Sequence, residues 1–310
     1  MTRNILMLLL FFFVVSCAVG QQVPQRIYAV QSVDEPPVID GRLDDACWKL
    51  LPETSNFTCI LQRSGPAEAQ TFVQMGQTST HLIIAFRCTE PDMDKVLKEL
   101  KGGDDFRESV EVFIDTKLDY RNYKQIRISA GGLREANIGL EQAYRGDLTA
   151  WNVSVVREKD AWVVETAIPF SLIGDAPALG ECWGVNLNRQ RMCVSPCELT
   201  CWSNTGYSFH VPEKFGQIIF GSFDDWRVKY SRGVESIVDE LKTMIQKYSK
   251  SLMNSDELVK QIQPAIKMTQ TKITTETDML KFMEEAFKEQ EKYIAILETA
   301  RLMVIKGEYE

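Results

Sequence analysis

Residues 25 to 226 break into short runs, alternating or β-branched, each bounded by turn formers, and this rhythm leaves little room for anything but strands. Candidate strands are Ala69 to Met75, Leu82 to Cys88, Ser109 to Asp115, Tyr123 to Ala130, Asn152 to Arg157, Trp162 to Ile168, Trp183 to Gln190 and Gly216 to Phe220. Their spacing predicts a mainly β fold, an antiparallel two-sheet sandwich of the jelly-roll or immunoglobulin-like type. Helical period shows only at Leu43 to Leu50, after the turn Asp40-Gly41, and at Pro169 to Ile173, where proline suits a helix start.

After Trp226 proline and glycine nearly vanish and the period becomes helical. Val234, Ile237, Leu241, Met244, Ile245, Tyr248 and Leu252 share one face, and Leu280, Met283, Phe287, Ile294 and Leu297 share another, with Pro264 and the Thr-rich stretch Thr269 to Thr277 between. The expected organisation is a sandwich over 25–226 and an α-helical C-terminal extension over 229–310. The extension reads as a hairpin or coiled-coil-like element, self-packed or laid on a protein partner.

The first twenty residues read as a secretion signal: Arg3, the apolar run Ile5 to Val15, then small residues. Val14-Val15-Ser16-Cys17 resembles a lipobox that would acylate Cys17 and anchor the chain to a membrane; Ala18-Val19-Gly20 offers ordinary cleavage. Either way the mature chain is expected to be secreted or in the cell envelope. A formal charge of -8, without a basic cluster, argues against nucleic acid as a partner. In an oxidising compartment, Cys193, Cys197 and Cys201 read as a disulfide-stitched loop rather than a metal site, because Pro196 opposes a helix that would align the thiols.

Ser109-Val-Glu-Val-Phe-Ile-Asp115 puts its aliphatic residues on one face, and Glu111, Phe113 and Asp115 on the other. Antiparallel pairing with Tyr123 to Ala130 would set Glu111 opposite Arg127 and Phe113 opposite Gln125. Such a face is either a wet surface with a cross-strand ion pair or a polar floor for the hydroxyl groups of a ligand. In either case Arg127 is expected to lower the pKa of Glu111.

Six pieces stand in an order that resembles family 9 carbohydrate-binding modules: Pro37-Val-Ile-Asp-Gly-Arg-Leu-Asp-Asp-Ala-Cys-Trp48, Ser109 to Asp115, Trp162-Val-Val-Glu-Thr-Ala-Ile-Pro169, Trp183-Gly-Val-Asn-Leu-Asn188, Cys201-Trp-Ser203 and Pro212-Glu-Lys-Phe-Gly216. The resemblance covers roughly residues 36 to 221. It implies a sandwich shared with DOMON domains and a secreted, non-catalytic module that binds glucan- or xylan-type sugars or their ends. It carries a carboxylate role onto Glu111, an arginine role onto Arg127 and an amide role onto Asn188. The aromatic positions fall on Phe209 and nearest Phe106, strict counting giving Asp105, where the family has tryptophans. The resemblance also implies structural calcium, for which Asp40, Asp44, Asp92 and Asp94 are oxygen donors in turns.

Of the remaining tryptophans, Trp48, Trp162 and Trp183 fit a core, and Trp151 and Trp202 fit either core or ligand face. Three rival functions are a glycosidase built on Glu111 and a second acid, an envelope scaffold without sugar affinity, and a haem site using Met192 and His210. With only His81 and His210 and no Walker or dinucleotide motif, an enzyme is not expected.

Overall fold

The computed structural model describes residues 23–60, 65–103, 105–139, 142–143, 146–248, 260, 267–268 and 270–309, without side chains at 142, 245–248, 290, 300–301 and 303–309. The signal-like stretch, Cys17, Leu252 and Pro264 lie outside these residues. Two compact units emerge, one spanning Pro24–Ser222 and one containing Phe223 onward.

The first unit is a sandwich of two sheets. One contains β7 (Glu108–Asp115), β8 (Lys124–Ser129), β9 (Arg134–Ile138), β10 (Gln142–Ala143), β13 (Cys182–Arg191) and β15 (Gly216–Phe220), in the order β10-β9-β8-β7-β13-β15. The other contains β5 (Thr71–Gln77), β6 (His81–Thr89), β12 (Ala161–Pro169) and β11 (Asn152–Arg157), in that order, with the two-residue β2 (Glu53–Thr54) paired to β5. The short β3 (Thr58–Cys59), β4 (Gly65–Pro66) and β14 (Glu198–Cys201) extend the first sheet beside β13. All of these pairings are antiparallel, as expected, but β1 (Ile27–Ser32) pairs parallel with β15 and then with β5. One strand thereby passes from sheet to sheet and joins them at a corner.

Alternation builds the core. Val110, Val112, Ile126 and Ile128 face inward from the first sheet, and Val73, Ile84, Phe86 and Val164 from the second. Trp151, Trp162, Trp183 and Trp202 join them, so Trp151 and Trp202 belong to the core. A buried ion network ties the sheets at one rim. Arg189 Nη2 donates to Glu90 (3.0 Å) and Glu108 (2.9 Å), and Arg191 grips both oxygens of Glu90 at 2.7 and 2.9 Å.

The motifs found in the sequence have structural duties here. Glu165 points out of the second sheet and is covered by the 37–48 segment: its carboxylate accepts from the backbone N–H of Asp40 (3.0 Å) and Gly41 (2.9 Å) and from Trp48 Nε1 (2.8 Å). The covering segment ends in α1 (Ala46–Leu50), shorter than the periodicity suggests. Asn186 accepts from the Ser203 amide and donates to the Ser203 carbonyl, fixing Cys201-Trp-Ser203. Gly216 lies against the Trp202 ring, where no Cβ fits. A helix absent from the sequence reading, α2 (Met93–Lys101), buries Met93 and Val96; α3 (Phe170–Ile173) follows Pro169, which caps it.

Cys193, Cys197 and Cys201 carry free thiols, which corrects the expectation of a stitched loop. Cys201 is buried at the end of β14 against Ile60 and Phe113, Cys193 packs on the inter-sheet core, and Cys197 is exposed. The three thiols therefore sit in three different environments.

The second unit contains α4 (Phe223–Tyr248) and α5 (Glu276–Tyr309). Trp226 meets the rings of Phe282 and Phe287 at 6.1 and 6.2 Å, the Tyr230 hydroxyl donates to the Ala286 carbonyl, and Val234, Ile237 and Leu241 cluster with Tyr293 and Leu297. Higher numbers in one helix meet higher numbers in the other, so these two helices run parallel. Among the described side chains, the buried stripe of α5 is Met279, Phe282, Met283, Ala286, Tyr293 and Leu297, with Leu280, Phe287 and Ile294 at its margin.

Candidate functional site

The outward face of β7, β8 and β13 holds the site. Pairing places Glu111 opposite both Arg127 and Asn188, and Phe113 opposite Gln125, the register expected from alternation. Half of this face is sealed by an aromatic cluster. Phe113 stacks on Tyr123 (5.8 Å) and meets Phe215 edge-on (5.7 Å), with Ile60 and Phe209 packed around them. That cluster explains a phenylalanine between two acids. Asp115 is occupied elsewhere: its carboxylate accepts from the amides of Lys117, Asp119 and Tyr120 and fixes the β7–β8 turn.

The other half opens into a cleft of about 660 Å³ lined by Glu111, Gln125, Arg127, Asn137, Gln190 and Tyr207, among others. Glu111 is its deepest polar group. Its Oε2 accepts from Gln125 Nε2 (2.8 Å), its Oε1 accepts from Gln190 Nε2 (2.5 Å), and Arg127 Nε lies 3.4 Å away. Arg127 also donates from Nη1 to Glu135 at 2.8 Å and lies beneath the Phe106 ring at 4.4 Å. Asn137 donates to Gln125 and Glu135, closing a continuous network of amides, carboxylates and one guanidinium. Contrary to the simple ion-pair expectation, the pKa of Glu111 is raised: desolvation of a 1% exposed carboxyl outweighs the Arg127 charge.

The expected site residues divide. Glu111 and Arg127 meet in the cleft, and Phe106 flanks it through Arg127. Asn188 is fully buried beneath, with neither amide atom hydrogen-bonded, and the cleft amides are Gln125, Asn137 and Gln190. Phe209 lines the cleft yet is 7% exposed, whereas Tyr207, two residues earlier, is 70% exposed and is the open aromatic surface. Gln190 was legible by period, two residues beyond Asn188 on the same face; Tyr207 lies in a loop, where period gives no signal.

His210 donates or accepts through Nδ1 with the Tyr123 hydroxyl at 2.9 Å, and burial together with Arg127 lowers its pKa. Met192 is 40% exposed at the far end of β13. Asp40 and Asp44 lie in the turn before α1, and Asp92 and Asp94 at the start of α2, where Asp92 pairs with Lys95. Among the described residues no three His, Cys, Asp or Glu side chains gather as a metal site.

The sequence matches no protein-family model and no curated protein. Solved structures do share its architecture. A Bacteroides uniformis protein proposed to bind carbohydrate gives a TM-score of 0.50 at 12% identity, over 63% of this chain and 99% of its own. A family 9 carbohydrate-binding module from Caldicellulosiruptor kristjanssonii, solved with cellotriose and with glucose, gives 0.47 and 0.46 at 16% identity, over 64% and 63% of this chain and 94% and 96% of the module. At such identities the likeness is one of fold, and the sandwich is the one found in the B. uniformis protein.

Proposed function

We propose that the sandwich is a non-catalytic carbohydrate-binding module, carried by a chain that a signal sequence directs out of the cytoplasm and that Cys17 can tether to a membrane. The observation that carries this reading is the cleft floor: three amides, the Glu111 carboxylate and one guanidinium joined in one network, with Glu135 behind Arg127, beside an exposed tyrosine. Hydroxyl groups both donate and accept, and side-chain amides do the same, so a floor of this composition suits a sugar edge. Tyr207 supplies an apolar ring for the sugar's C–H face while its hydroxyl stays hydrated.

Glu111 is buried and bonded on both oxygens, which suits holding a ligand through Gln190 and Arg127 better than transferring protons. Glucan- and xylan-type sugars are the first ligands to test. Affinity electrophoresis through gels containing soluble glucan or xylan tests the reading. Retardation of the full chain that is lost in Tyr207→Ala supports it, and equal mobility of the two proteins opposes it.

A second reading, a scaffold that keeps the fold without sugar affinity and assembles through residues 229–310, draws on the burial of Phe209 and Asn188. Retardation of wild type in either gel would exclude it.

A further inference from the structure

We propose that the cleft selects by charge, accepting neutral and amine-bearing sugars and rejecting uronates and sulfated sugars. This rests on the carbohydrate reading above. Among the described residues lining the cleft, Arg127 is the only lysine or arginine, and two of its three nitrogens are already turned to carboxylates. Nη1 donates to Glu135, Nε faces Glu111, and the Phe106 ring covers the plane. A bidentate carboxylate or sulfate contact would need that planar fork free.

Glu111 lines the cleft and Glu135 joins it through Arg127 and Asn137, so the network holds two carboxylates to one guanidinium. Glu135 Oε1 receives both Arg127 and Asn137, while Oε2 accepts no bond from the described residues, and the side chain is 38% exposed. An anionic sugar therefore approaches an outward negative charge, and the one guanidinium that could answer it already faces two carboxylates. A protonated amine is attracted to that same oxygen or to the exposed ring of Tyr207. Gln125, Asn137 and Gln190 serve hydroxyl groups of either kind of sugar and contribute no charge preference.

The test is isothermal titration of the full chain, at neutral pH and low salt, with three disaccharides of one shape: cellobiose, its glucosamine counterpart and cellobiouronate. The expected result is cellobiouronate about tenfold weaker than cellobiose or worse, with the amine-bearing sugar no weaker than cellobiose. Added salt and Glu135→Gln should each narrow the uronate gap several-fold. Cellobiose binding with equal or tighter uronate binding, or a gap that neither salt nor Glu135→Gln moves, overturns charge selection and leaves the carbohydrate reading standing. No heat with any of the three overturns the carbohydrate reading, and this inference falls with it.

Discussion

At the residue scale, two positions show how the fold constrains single side chains. Gly41 sits at φ +86°, and an added Cβ would stand 2.5 Å from Val156 Cγ2, so Gly41→Ala meets both backbone strain and a clash. Urea unfolding should find the variant less stable by about 1–3 kcal/mol. Glu108 is buried in the ion network with Oε2 unpartnered, and desolvation raises its pKa. A carboxyl whose native pKa exceeds its unfolded value contributes stability that is present below the unfolded value and lost as pH rises through the native one. Glu108→Gln has no such titration. The stability difference between variant and wild type should therefore move in the variant's favour as pH rises from the ordinary glutamate value of 4.5 toward neutrality. Thermal unfolding across that range measures it, and a constant difference would contradict the assignment.

At the element scale, the strands were legible and their surroundings were not. Period 2 in Ser109 to Asp115 and Tyr123 to Ala130 gave the register of Glu111 with Arg127, because a one-residue slip would expose Val110 and Val112. The same period could not show that the outward face of β12 is covered, since the cover comes from residues 37–48, distant in sequence. Nor could it show β1 pairing parallel with two partners, a product of tertiary closure. In the site, the register of Glu111 with Arg127 follows from the strands, but period says nothing of the 207–210 loop: the resemblance points to Phe209, while the exposed ring is Tyr207. In the helices, Val234, Ile237, Leu241 and Met244 lie in the α4 seam as the period predicts, whereas amphipathic period is blind to the direction of the partner helix. Leu241 is 1% exposed within the α4–α5 seam. Leu241→Ala should lower the stability of the helical unit by about 2–5 kcal/mol, followed by helix-sensitive circular dichroism on the full chain.

At the scale of the whole molecule, the two-sheet frame presents an open polar cleft on β7, β8 and β13, while residues 37–48 cover Glu165 on β12 and Arg189 and Arg191 tie one rim. The frame explains why most of the recognisable motifs serve packing: Glu165, Asn186 and Gly216 hold segments in place, leaving Glu111 and Arg127 to the cleft. Arg127 touches both carboxylates, so Arg127→Ala should weaken sugar binding by about tenfold or more, the loss expected for charge-assisted hydrogen bonds. The measurement that tests the central claim most directly is isothermal titration of wild type and Glu111→Gln with glucose, cellobiose, xylobiose and laminaribiose, with and without calcium. The account predicts heat with at least one of these sugars in wild type and its loss in a folded Glu111→Gln protein. No heat with any sugar in the folded wild type, or an affinity unchanged by Glu111→Gln, would contradict it.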